Sequence, residues 1–187
     1  MAGIRSSAEL LQLDQGPDAQ EAGEIIAQVD RLDACVRELL DYARAETPAV
    51  QRVDPAELVA EALHRLAPQM RRARVHLEIT DRRAARRRPL LLDGQLLAQA
   101  VASIATNAIE AMADGGRLDV VLEPHGRGVA IAFADTGIGM GPGELARATE
   151  PFFTTKTRGL GLGLPIARRI VERFGGTLEI VSTEGAG

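Results

Sequence analysis

The sequence predicts an α/β domain led in by a helical hairpin, and three observations carry that expectation. Leu97, Val101, Ile104, Ala108 and Met112 recur at helical spacing, the apolar stripe of a helix packed on a core. Val129, Ile131 and Phe133 alternate instead, the period of a strand with one face buried. Ile25, Val29, Leu32, Val36, Leu39 and Ala43 form a heptad seam, which favours shallow packing against other helices.

Composition sets the bounds. A chain of 187 residues holds one medium domain, with or without a small appendage. It is 45% hydrophobic and 3% aromatic, so its core is aliphatic. A net charge of −4 gives no general reason to expect nucleic-acid binding. The one cysteine, Cys35, excludes an internal disulfide and fits a reducing compartment. With no run of 18 apolar residues and no signal peptide at its start, the chain reads as soluble and cytoplasmic, without a membrane segment.

In order, residues 4–13 read as the end of an amphipathic helix, and Gly16-Pro17 as a turn. Asp18 and Glu21 signal a capped second helix that carries the heptad seam. Residues 1–46 are thus expected to be a hairpin that buries its seam by pairing with a second copy into a four-helix bundle; an ordinary helix packed on its own domain is the alternative. Residues 46–53 read as a linker. Asp54-Pro55-Ala56-Glu57 opens a helix whose buried face is Leu58, Ala62, Leu66 and Met70. Val75, Leu77 and Ile79 alternate as a strand, and 89–92 form another short one. The arginines around and between them (Arg71, Arg72, Arg74, Arg82, Arg83, Arg86, Arg87, Arg88) straddle what reads as a hairpin connection. They are expected to be a solvated surface, or else a dock for an acidic partner.

Beyond the 97–112 helix, Asp114-Gly115-Gly116 stops the chain. Strands 117–123 and 128–134 form a hairpin turning at 124–127. A short helix over 144–148, a helix over 164–174 and a last strand over 177–181 complete the reading.

Two stretches point to chemistry. Asp135 ends a strand and is followed by Gly137 and Gly139. A carboxylate there can accept hydrogen bonds from a flat, donor-bearing ligand, and glycines allow close approach; a plain turn is the alternative. Gly159, Gly161 and Gly163 precede the 164–174 helix, where free N–H groups and the helix dipole favour phosphate; a flexible loop is the alternative. The spacing is not that of a P-loop, and no βαβ unit supports a dinucleotide fold.

Four blocks stand in order: Asn107-Ala108-Ile109-Glu110-Ala111-Met112, Asp135-Thr136-Gly137-Ile138-Gly139-Met140, Pro151-Phe152-Phe153-Thr154-Thr155-Lys156, and Gly159-Leu160-Gly161-Leu162-Gly163-Leu164. They resemble the N, G1, F and G2 boxes of sensor histidine kinases. Gly3 to Leu11 likewise resembles the segment just after the histidine-bearing H box of that family, especially in its nitrogen-regulation-type members. The resemblance implies a two-layer α/β sandwich of the Bergerat type over 47–187, with helices on one face of a mixed sheet. It implies ATP and Mg²⁺ as ligands, and a homodimer through the hairpin. It also implies transfer of the γ-phosphoryl to a histidine and onward to an aspartate of a response regulator.

By the same resemblance, Asp135 accepts the adenine amino group, Gly137 and Gly139 shape the pocket floor, and Asn107 holds the metal with Glu110 nearby. Lys156 and Arg158 neutralise phosphate charge, while Phe152 and Phe153 pack the lid. None of His64, His76 and His125 sits in an H-box context, so the phosphoacceptor is expected outside this chain, which would bind ATP without phosphorylating itself. A further core strand after Gly187 is expected to be missing as well. Ser103 departs from the family: water-splitting relatives carry a glutamate there and histidine kinases commonly an asparagine. Serine is a poor general base, which argues against strong hydrolysis. Leu160 stands where the family often has threonine. A silent ATP-sensing or scaffold module, or an ATPase of the same fold, are the alternative functions.

Overall fold

Two aspartates start the helices that organise the domain. The computed structural model describes residues 22–30, 32, 36, 39, 48–83, 88–156 and 159–186. Asp54 caps α1, Pro55–Arg65, its carboxylate accepting from Ala56 N at 2.9 Å. Asp93 caps α3, Gly94–Ala111, accepting from Gln95 N at 2.9 Å and Leu96 N at 3.2 Å. These bonds satisfy donors that a helix start leaves unpaired. The second Asp93 oxygen accepts from Ala49 N at 2.8 Å, tying the preceding segment down. Burial pushes the Asp93 carboxyl up, but the three backbone donors outweigh it and leave the group below its ordinary value. Asp93→Ala is therefore expected to cost about 1–2 kcal/mol, read as a lower urea midpoint with unchanged slope.

The expected single helix over 55–70 is two. Pro68 cannot donate the backbone bond to residue 64 that continuation needs, so the chain turns at Leu66 and restarts as α2, Ala67–Ala73. The buried face shifts accordingly, to Val59, Ala62, Leu63 and Met70. Arg74 closes α2 in the left-handed conformation, φ 56°.

The main sheet is mixed. β2 (Val75–Asp81) runs parallel to β4 (Gly116–His125), with Val75 opposite Gly116. β4 pairs antiparallel with β5 (Gly128–Asp135), with Leu118 opposite Asp135, in the order β2-β4-β5. Leu118, Val120 and Leu122 point inward from the central strand and are fully buried. They pack with Val59 and Leu63 of α1 and Val101, Ala105 and Met112 at α3. The other side of α3 offers Ala100 and Ile104 to Leu162 and to Ile166, Ala167 and Ile170 of α5, Gly163–Arg173. The expected layering, helices over one face of a mixed sheet, is the one found. α3 is its pivot.

Four expectations are corrected. Residues 51–53 are not linker but β1 (Gln51–Val53), paired antiparallel with β3 (Leu90–Leu92); the partner lies some 40 residues away in sequence, so no local pattern announces it. For the same reason β2 and β3 form no hairpin, since β2 takes β4 as its partner. Arg83 is not solvated: its side chain is 3% exposed, between Asp81 and Asp54. Residues 177–181 join no ladder; single bonds anchor the residues after them, Met140 N donating to Ser182 Oγ at 2.8 Å and Gly185 N to Ile138 O at 2.7 Å.

Residues 22–30, and 32, 36 and 39, are helical. Val29 is buried, while Ile25, Leu32, Val36 and Leu39 of the seam are exposed. The expected 4–13 helix, its turn, the Asp18 cap, Cys35, Ala43, Arg86 and Arg87 lie outside the described residues. Among those described, no helix is long and apolar enough to cross a membrane.

Candidate functional site

The site grows out of the C-terminal half of α3. Ser103, Asn107 and Glu110 follow one another at three- and four-residue steps, so they share one edge of the helix beside its apolar stripe. That edge borders a cleft of about 490 Å³. Ile138, Gly139 and Met140 form a second wall, Phe153 to Lys156 a third, and Gly159 to Ile166 a fourth.

The second wall is set by the loop after β5. Asp135 Oδ1 accepts from Gly137 N at 2.9 Å, turning the chain as the strand ends. Ile138 N then donates to Ala111 O at 3.1 Å, fastening the loop across the end of α3. Gly137 sits so close there that a Cβ would lie 2.8 Å from that of Ala111 and 2.8 Å from Asp135 Oδ1. Gly139 takes φ +64°, which glycine adopts at no steric cost. Gly139 lines the cleft, whereas Asp135 and Gly137 lie outside its lining and hold the loop in place.

The third and fourth walls meet at Gly161. Its φ is +68°, and a Cβ there would collide with the backbone carbonyl of Phe153. Phe153 is half-buried, with the Arg147 guanidinium 4.1 Å from its ring centroid. Phe152 is 60% exposed at φ +66°. The short helix of this region, α4, is Pro142–Leu145, two residues earlier than expected because Pro142 occupies its first turn. α5 begins at Gly163 with no side chain capping its first turn, and Gly163 to Ile166 line the cleft, which places the positive end of the helix dipole there.

One contact links the first and third walls. Lys156 Nζ donates to Asn107 Oδ1 and to Glu110 Oε2, each at 2.7 Å, and lies 3.5 Å from Asn107 O. The resemblance placed Lys156 toward phosphates; here it meets two side-chain oxygens and one backbone oxygen of α3. The i, i+3 spacing of Asn107 and Glu110 was the signal for their shared edge. Nothing local pointed to their partner 46 residues on. Asn107, Gly139, Lys156, Gly159, Gly161 and Gly163 are thus brought together around one cleft. Arg158 lies outside the described residues.

The donor set suits a hard cation. Asn107 Oδ1 and Glu110 Oε2 are oxygen donors side by side, and an ammonium already rests on both. Mg²⁺ is characteristically held by one or two such protein oxygens, with waters and phosphates completing its shell.

Comparison with known proteins gives this arrangement its family. A family model described as histidine kinase-, DNA gyrase B-, and HSP90-like ATPase matches residues 92–187. The chain belongs to that family. Within it, the chain is similar to sensor histidine kinase ZraS of Escherichia coli (strain K12), 32% identical over 173 residues. That alignment takes in 92% of the chain but 37% of ZraS, so the chain spans well under half of this relative. Among solved structures, full-length ShkA in complex with AMPPNP superposes with a TM-score of 0.81 at 24% identity, covering 98% of this chain and 40% of that one. Histidine kinase ThkA in complex with the response regulator protein TrrA gives 0.69 at 22% identity, covering 87% and 46%. The histidine kinase ATPase domain is therefore the fold of this chain, and each of the four motif blocks contributes residues to a wall of its cleft.

Proposed function

We propose that the cleft binds Mg-ATP and that the protein to which this domain belongs transfers the γ-phosphoryl to a histidine, then to a response-regulator aspartate. The observation that carries this reading is the cation on Asn107 Oδ1, 2.7 Å away, in a cleft walled by glycines and the open start of α5. Asn107, with Glu110 beside it, would hold the metal; when bound, Mg²⁺ supplies charge neutralisation for the phosphates. The uncapped N–H groups of α5 and the backbone around Gly159 to Gly163 would hold the phosphates. The Asp135 oxygen not committed to Gly137 would accept the adenine amino group. Phosphoryl transfer depends chiefly on such positioning and charge neutralisation.

The acceptor histidine comes from elsewhere in this reading. His64, His76 and His125 are exposed on α1, β2 and β4, and none lines the cleft. The exposed Ile25, Leu32, Val36 and Leu39 support a homodimer through the hairpin of residues 1–46, the catalytic domain being 47–187. The ThkA–TrrA complex supports a response regulator as partner. A hydrolytic role has less support. Ser103 lines the cleft where a base would stand, and the lining carboxylates Glu110 and Glu144 are engaged by Lys156 Nζ and Gly141 N.

The test is calorimetry with AMP-PNP and Mg²⁺. Asp135→Asn is expected to weaken binding about ten- to a hundredfold, the worth of a hydrogen bond to a charged group. Asn107→Ala should lose most of the Mg²⁺ dependence. A folded wild-type chain that binds no nucleotide would overturn the reading.

A further inference from the structure

We propose that Asn107 Oδ1 and Glu110 Oε2 form a two-oxygen cation seat which the Lys156 ammonium fills in the nucleotide-free protein, and that loading of the metal nucleotide exchanges one cation for the other. The inference rests on the nucleotide reading above and adds an occupant to its metal position.

The geometry is specific. Lys156 Nζ is 2.7 Å from each of the two side-chain oxygens and 3.5 Å from Asn107 O, so three oxygens at the end of α3 surround one ammonium. The lysine is held at its other end too, its backbone N–H donating to Thr154 Oγ1 at 3.1 Å. An ammonium is a compact, strongly hydrated charge on a flexible stem, and its side chain here is 34% exposed. A solvated surface lysine has no need of this seat. Without a cation, Glu110 would leave its charge beside a cleft built for polyphosphate.

The two occupants exclude each other. A divalent ion bound to Asn107 Oδ1 would sit about 2.0–2.1 Å from that oxygen, inside the space the ammonium takes, and the like charges repel. Nucleotide binding then carries the cost of opening the seat. The observed affinity falls short of the intrinsic one by the fraction of protein whose seat is open. Removing the ammonium should raise that fraction.

Lys156→Met keeps most of the stem and removes the charge. AMP-PNP affinity is measured by calorimetry with Mg²⁺ and again with EDTA, in wild type and variant. The ratio of metal-free to metal-loaded Kd is expected to grow about three- to tenfold in the variant. A lysine that only touches phosphate would weaken both affinities and leave the ratio unmoved, which would overturn the exchange. A second variant, Glu110→Ala, is read without any nucleotide by hydrogen exchange of the amides of residues 153–156. Exchange about threefold faster or more is expected, since the anchor of Lys156 is gone; an unchanged rate overturns the seat. Wild-type protein that binds no nucleotide would sink the nucleotide reading and the exchange with it, whereas normal binding with an unmoved ratio sinks the exchange alone.

Discussion

Arg83→Met is expected to destabilise the domain by about 2–3 kcal/mol, read as a lower denaturation midpoint. Arg83 reaches Asp81 with two donors, Nε to Oδ1 at 2.9 Å and a terminal nitrogen to Oδ2 at 3.0 Å. That terminal nitrogen also meets Asp54 Oδ1 at 2.7 Å. One guanidinium thus fastens the end of β2 to the residue that caps α1. Taking one partner from a buried ion pair typically costs about 3–5 kcal/mol because the other charge is left behind. The lower figure applies here because water reaches the carboxylates, Asp54 being 29% and Asp81 13% exposed.

The same cluster sets an acid limit. The hydrogen bond from Arg83, then that from Ala56 N, holds the Asp54 carboxyl below its ordinary value. A carboxyl depressed in the folded state adds stability that is complete above its unfolded pKa, about 3.9 for aspartate. The contribution is lost as pH falls through the lower folded value. Wild type should therefore lose stability below about pH 4 more steeply than Arg83→Met, in which the depression is relieved. Parallel slopes for the two proteins would mean that the pairing does not couple to folding.

How far the sequence alone could carry this picture depends on the range of each interaction. α1 and α3 were legible because Asp54 and the Leu97–Met112 stripe are local signals of capping and burial. The β4–β5 hairpin was legible because two alternating runs flank a short turn. β1 was not, for its three residues make sense only beside Leu90–Leu92. Arg83 was misread for a related reason: within a run of arginines nothing local marks the one whose partners are Asp54 and Asp81. The strand expected over 177–181 had the right alternation, but alternation supplies a face and not a ladder partner.

The cleft shows the same division. Asn107, Gly139, Gly159, Gly161 and Gly163 were legible as a set because motif order stood in for contact. The position of Lys156 was not, since a flexible cation is drawn to whichever oxygens the fold presents. Its settling on α3 is a product of packing between walls. Asp135 and Gly137 show the reverse case, motif residues whose first visible work is to build the loop after β5.

Gly161→Ala is expected to abolish most nucleotide binding while leaving the chain folded. At φ +68° an alanine pays about 1–2 kcal/mol for the left-handed backbone alone. Its Cβ would also be driven into the main chain of Phe153, whose carbonyl carbon stands 2.7 Å away. Backbone cannot yield as a side-chain tip can, so the third and fourth walls must part. A penalty of about 2 kcal/mol or more falls on the closed cleft, which is about thirtyfold in affinity. Gly161 lies outside the sheet and outside α1 to α3, so the melting temperature should fall by only a few degrees. Gly159→Ala is the matched control: its φ is +109° but, among the described residues and apart from its chain neighbours, no atom lies within 4 Å of a Cβ there, so it carries backbone strain without the collision. If both alanines weakened AMP-PNP equally, strain alone would account for the loss. A larger loss in Gly161→Ala assigns the difference to the contact with Phe153, through which one glycine holds the two walls of the cleft together.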